Sequence, residues 1–225
     1  MDWSAFSLSI QLAFGTLLVL LPMGLLVGRW LARTQFKGRA WLEAAILLPL
    51  VLPPTVMGYY LLVVVGGGSP VGQWLQNTWG VSLAFNFSGL LLASVLFNIP
   101  FMFQPIQRAF ESIPNNLNEA AQVSGLSRWA IFTTVELPLA WPGIVSAMVL
   151  TFVHTLGEFG VVLMIGGSIP GETRTLAISI YDSVQSFDLQ AAHQMSLALL
   201  IFSLVAVATS LLLSGRRMRT VKRAV

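Results

Sequence analysis

The chain has no cysteine, and only two lysines, two histidines and three tyrosines among its 225 residues. Without cysteine there is neither a disulfide framework nor a thiolate metal site. Charge is scarce as well: 9% of residues are Asp, Glu, Lys or Arg, against about 25% in a soluble domain. No charged residue occurs from Ala44 to Gln107. So few charges cannot cover a water-facing surface of this size. Neither Lys37 nor Lys222 follows the glycine-rich loop that cradles nucleotide phosphates. Any nucleotide hydrolysis therefore has to come from another chain.

What the chain does have is apolar length. It is 56% hydrophobic, with a mean hydropathy of +0.79, and about 20 apolar residues cross a bilayer as one helix. Five segments qualify, approximately Ser7–Leu31, Trp41–Val65, Phe87–Phe110, Trp141–Ile165 and Gln194–Leu213. The opening MDWSAFSLS has no basic n-region and its apolar run is too long for a cleaved leader, so it reads as a retained span. The loop GGGSPVGQWLQNTWG reads as an interfacial connection with an aromatic belt. No internal repeat, low-complexity tract or soluble domain is visible, which predicts one transmembrane domain over 1–225.

A pI near 9.8 would point to nucleic acid in a soluble protein. Here membrane topology accounts for the basic residues. Threading five spans puts Arg29, Arg33, Lys37, Arg39, Arg108, Arg128 and the tail Arg216, Arg217, Arg219, Lys222 and Arg223 on one side. Only Arg174 falls on the other. Basic residues near span ends stay cytoplasmic, which predicts an outside N-terminus and a cytoplasmic C-terminus. Between Gly166 and His193, TRTLAISIYDSVQSF contains an amphipathic piece too short and polar to span, either interfacial or re-entrant. Span two holds Pro49, Pro53, Pro54 and Gly58, and span three holds NIPFMFQP. Proline removes a backbone donor and kinks a helix. Two readings stand: tolerated kinks, or bends that shape a transport path.

One polar stretch interrupts the apolar runs: NEAAQVSGLSRWAIFTTVELP, Asn118 to Pro138. Asn116 with Glu119 three residues on resembles a capping box, Gly125 suits a left-handed stop, and Ser127 suits a second cap. The prediction is helix, turn and second helix running into the next span at Leu137-Pro138. It is either an ordinary helical loop or a docking element, with small alanines allowing close approach and Glu119 offering a charged hydrogen bond.

Glu119-Ala120-Ala121, Gly125 and Leu137-Pro138 resemble the EAA motif of ABC importer permeases: E-A-A, three residues, G, nine residues, I, any residue, L-P. Val135 stands where isoleucine is usual, a mild departure between two β-branched residues. LPLVLPPTVMGYYLLV and LGEFGVVLMIGGSIPGETRTL further resemble the permease subunits of molybdate importers. Sulfate and thiosulfate permeases share GEFG, but usually differ at the Pro170–Thr175 segment PGETRT. The resemblance covers most of the chain. It implies an all-α polytopic bundle of the type I importer permease fold, with five spans plus a short helix at about 175–187. It further implies a bacterial or archaeal cytoplasmic membrane, no bound cofactor, and a coupling loop at about 111–140. The implied partners are a cytoplasmic ABC ATPase dimer, an extracytoplasmic oxyanion-binding protein, a second copy of the chain and membrane lipid, with no nucleic acid. The cargo is molybdate or tungstate, with sulfate or thiosulfate as the alternative.

Glu119, Ala120, Ala121, Gly125, Leu137 and Pro138 are thus the candidate ATPase-coupling residues. Pro53, Pro54, Thr55, Glu158 and Arg174 are candidates for a pathway or gate. Glu158 is the only acid expected at membrane depth, where ionisable groups are costly and usually functional. A carboxylate repels a dianion, so packing or gating is favoured over direct binding, beside a purely structural role. His154, one turn earlier on the same expected helix face, reads as structural rather than metal-binding. Arg174 has the sign to attract an anion, and equally to contact a binding protein or its neighbour Glu172. An intramembrane enzyme or an ATP-independent channel are remote alternatives: no nucleophile motif accompanies His154 or His193, and dense intramembrane polar groups are lacking.

Overall fold

A computed structural model describes the backbone of residues 2–224 and the side chains of 2–212. The basic side chains after 212 lie outside the described set. Among the described residues the chain is helical, with no strand. Four helices among the described residues are long and apolar enough to cross a membrane, and a bent helix pair makes a fifth if counted as one span.

Helix α1 (Trp3–Arg33) starts where Asp2 Oδ1 accepts the Ala5 N–H at 3.0 Å. Its sequence G-L-L-V-G, Gly24 to Gly28, faces the central helix α5 (Phe87–Glu111). A methyl group at Gly24 would stand 2.8 Å from Met102 Cγ, and one at Gly28 2.9 Å from Ile106 Cγ2. In lipid, helices associate through close van der Waals contact, which small residues four apart permit. These two glycines therefore set how near α1 approaches α5.

The expected second span is not one helix. It divides into α2 (Arg39–Val51) and α3 (Pro54–Val65), bent by 107°. Pro54 opens α3 at a position where the missing N–H costs nothing, and Leu52 and Pro53 are extended. The connection expected as a loop is largely helical. Ser69 Oγ accepts the Gly72 N–H at 2.8 Å and starts α4 (Pro70–Trp79), which Gly80 ends in left-handed geometry. Trp74 and Trp79 on it are exposed.

The fourth span is also displaced from its expected place. Helix starts at α6 (Asn115–Val123), resumes at α7 (Arg128–Ile131), and runs through a π-helical segment (Phe132–Glu136) into α8 (Leu137–Gly157). A span-length helix therefore covers Arg128–Gly157. The stretch expected to finish it is a separate helix, α9 (Gly160–Gly166). Next come α10 (Leu176–Gln185), at the place of the expected short helix, and α11 (Leu189–Ala224).

Two apolar clusters fill the bundle. One joins Leu8 and Leu12 of α1 to Leu90, Ala93 and Phe97 of α5 and to Val161, Val162 and Ile165 of α9. The other joins Leu20 to Met102, Ile106 and Phe110 of α5 and to Ala140, Ile144 and Ala147 of α8. Beyond the second cluster Arg39 binds Glu43 at 2.8 Å and Glu111 at 2.6 Å, and Gln107 donates to both carboxylates. This ionic group pins the start of α2 to the end of α5. Leu18, Leu26, Leu200, Leu204 and Leu211 are exposed on the outside, as suits surfaces facing lipid.

Candidate functional site

The structure collects the candidate residues other than Arg174 at two places. The first is the polar stretch at the end of the bundle. Its first helix begins at Asn115, with Pro114 in the cap position and no side-chain cap. Asn116 is therefore inside α6 and forms no capping box. The neighbouring amides are used elsewhere: Asn115 Oδ1 accepts from Arg33 Nη1 at 3.0 Å, and Asn118 Nδ2 donates to Glu136 Oε1 at 3.1 Å. Gly125 has φ +84°, where a β-carbon is strained, and the Leu126 N–H returns to the Ala121 carbonyl at 3.1 Å. Ser127 Oγ accepts the Ala130 N–H at 3.2 Å and starts the second helix.

Glu119, Ala120 and Gly125 are exposed, whereas Ala121 is buried. Among the described residues Glu119 forms no ion pair. Leu137 and Pro138 act on the backbone. Pro138 has no N–H for the Thr134 carbonyl and its ring crowds that turn. The ladder widens there, and the Leu137 N–H bonds to Phe132 O, five residues back. Thr134 Oγ1 donates to the Ala130 carbonyl at 2.6 Å.

Sequence reasoning did not single out Glu136. Its carboxylate is buried, with Arg29 Nε at 2.5 Å and Arg33 Nε at 3.3 Å. It joins the end of α1 to α6 and to the π segment at once. The readable signal was Arg29 and Arg33, four apart on one helix face.

The second place is where two helix breaks meet. The gap between α2 and α3 lies against the gap between α8 and α9. A β-carbon on Gly160 would come within 2.9 Å of Pro54 Cβ and 3.5 Å of the Thr55 N. The expected continuous helix through Glu158 is overturned: α8 ends at Gly157, and Glu158 is extended with ψ 128°. His154 and Glu158 therefore do not share a helix face. Glu158 turns towards α5, where Ser94 Oγ and Asn98 Nδ2 each donate to its Oε2 at 3.1 Å. Thr16 Oγ1 donates to Ser94 Oγ at 3.1 Å, and Asn98 Oδ1 lies 2.9 Å from His154 Nδ1. Because that oxygen only accepts, His154 carries its proton on Nδ1. Phe101 stacks on the imidazole with centroids 3.8 Å apart. Glu158 Oε1 has no hydrogen-bond partner, and no described cation pairs with the carboxyl. Among the described residues no group of three or more ligating side chains is placed to hold a metal ion.

Arg174 stands apart from both places. Its Nε donates to Ser168 Oγ at 2.9 Å and lies 3.4 Å from Asp182 Oδ2. Its acidic partner is thus Asp182 of α10, not Glu172.

Known proteins match this arrangement along nearly the whole chain. The ModB molybdenum transport system permease protein of Azotobacter vinelandii is 44% identical over 218 residues, covering 97% of this chain and 96% of that protein. A probable sulfate transport system permease protein, cysT of Chlorella vulgaris, is 35% identical over 201 residues, covering 89% and 75%. A crystal structure of a bacterial ABC transporter importing the acidic polysaccharide alginate contains a chain that superposes with TM-score 0.77 at 21% identity, covering 95% of this chain and 78% of that one. The family model for binding-protein-dependent transport system inner membrane components matches residues 21–219, and the chain belongs to that family.

Proposed function

We propose that the chain is the membrane permease subunit of an ATP-driven importer of molybdate or tungstate, fed by an extracytoplasmic binding protein. Identity of 44% to a molybdenum permease across 97% of the chain carries this reading. In it, two copies related by a two-fold axis enclose the pathway, because so few spans make a thin enclosure. The N-terminus is outside. Each copy docks one subunit of a cytoplasmic ATPase dimer through α6.

The geometry supports that docking role. Glu119, Ala120 and Gly125 are open to a partner, and Ala121 seats α6 on the bundle. Past the turn, α7 continues through the π segment into α8, so a push on α6 reaches a spanning helix without a slack linker. Glu136 with Arg29 and Arg33 carries the same push to α1. Closure of the ATPase would then move α1 and α8, which meet α5 at the Glu158 network. Pro53, Pro54 and Thr55 shape the facing break, and Glu158 braces the gate without touching the anion. Arg174 supplies positive charge at the outer mouth.

The test is uptake into vesicles holding the chain with its cognate ATPase and binding protein. ATP-dependent molybdate uptake that tungstate competes for and excess sulfate leaves intact is the expected result. Uptake of sulfate in preference would move the cargo to the sulfate class.

A further inference from the structure

Between the end of α1 and the polar stretch lies a cavity of about 800 Å³. Arg29, Arg33 and Arg128 line it with a single acid, Glu136, so its charge balance is positive. Glu136 does not exhaust these cations. Arg33 Nη2 is buried with no hydrogen-bond acceptor, and among the described residues Arg128 forms no ion pair. Buried guanidinium donors without acceptors are costly, and planar guanidinium groups suit a phosphate oxyanion. Two further walls are Trp30 and Trp129, which are 46% and 72% exposed. Indole rings partition to the level of lipid headgroups.

Depth agrees. A 31-residue helix is about 46 Å long, against a hydrocarbon core of about 30 Å, so the last turns of α1 emerge among headgroups. Below the arginines the wall continues through Leu26, which is 74% exposed, towards Leu18 on the outer face of α1. That combination is an anion site at the top of an apolar track.

We propose that this cavity holds the phosphate headgroup of an anionic phospholipid, with an acyl chain along the outer face of α1. A free oxyanion would satisfy the arginines but would have no use for the tryptophans or the leucine track. The bound lipid fills the gap between α1 and the polar stretch, and so stiffens the junction that Glu136 closes.

Native mass spectrometry of the full chain in detergent, titrated with phosphatidylglycerol or phosphatidylcholine, tests this. Phosphatidylglycerol should bind selectively. Arg128→Gln, which disturbs no ion pair, should weaken it about fivefold, the change expected for one basic residue near an anionic lipid surface. The double variant with Arg33→Gln should weaken it further. Equal binding of both lipids, or unchanged phosphatidylglycerol binding in Arg128→Gln, overturns the proposal. Thermal stabilisation by millimolar inorganic phosphate that equals the effect of phosphatidylglycerol and disappears in Arg128→Gln assigns the cavity to a free oxyanion instead.

Discussion

Glu136 and Glu158 are both buried acids at irregularities in the same stretch of helix, yet their surroundings are opposite. Glu136 ends a π segment and meets two arginines and an amide. Glu158 follows the end of α8 and meets a hydroxyl and an amide, with no described cation. The first is an ionic joint near the water-facing end, where arginine heads remain partly hydrated. The second is a neutral-donor network between helices, where a second charge would cost desolvation again. A joint that transmits force suits the first, and a brace that can re-form in another arrangement suits the second.

The largest expected effect is from Glu136→Ala, which strands Arg29 and Arg33. Breaking a buried pair typically costs about 3–5 kcal/mol. With Arg29 more than a third exposed, water recovers part of that, leaving about 2 kcal/mol. Thermal unfolding in detergent should show it, together with loss of ATPase co-purification. An unchanged midpoint would remove the idea of an ionic joint.

Glu158→Ala comes next. It removes the acceptor of the Ser94 hydroxyl and of one Asn98 amide N–H, the other staying on the Ser94 carbonyl at 2.9 Å, at about 1–3 kcal/mol. Here the ATPase should still co-purify while uptake fails. Loss of both together would mean the two acids serve one function.

Glutamine separates them more finely. Glu158→Gln keeps an acceptor for Ser94 and Asn98 and should retain most uptake. Glu136→Gln keeps the shape but loses the charge and should behave nearly as badly as alanine. Comparable uptake in the two glutamine variants would abolish the distinction between ionic and neutral sites. The smallest effect is that of salt. Raising ionic strength towards about 1 M shortens the screening length to about 3 Å, so wild type should lose a little of its margin over Glu136→Ala. Its margin over Glu158→Ala should not change, as measured by the same thermal unfolding.

Much of this was open to reading in advance. Apolar length identified the spanning helices of α1, α5 and α11, because a window of about 20 residues carries that signal locally. Gly125 and Ser127 marked the turn and the second cap, since both act within four residues of themselves. Asn116 misled because the helix starts one residue before it, with Pro114 in the cap position, which leaves Asn116 inside α6. Glu158 was noticed for its charge but placed on the wrong backbone. Gly157 and Glu158 are brief interruptions of an apolar run that resumes at Phe159 and continues through α9, so the run reads as one span although the helix ends at Gly157.

The sequence by itself determined that this is a multi-pass helical membrane protein with a polar helix–turn–helix, because composition, span length and capping chemistry act over short distances. Tertiary structure alone decided that α2 and α3 bend by 107° and that their break meets Gly160. It also decided that Glu136 closes on α1, 107 residues away from Arg29. Such pairings depend on which helices pack together. In lipid that choice rests on surface fit between distant segments, such as Gly24 and Gly28 against Met102 and Ile106.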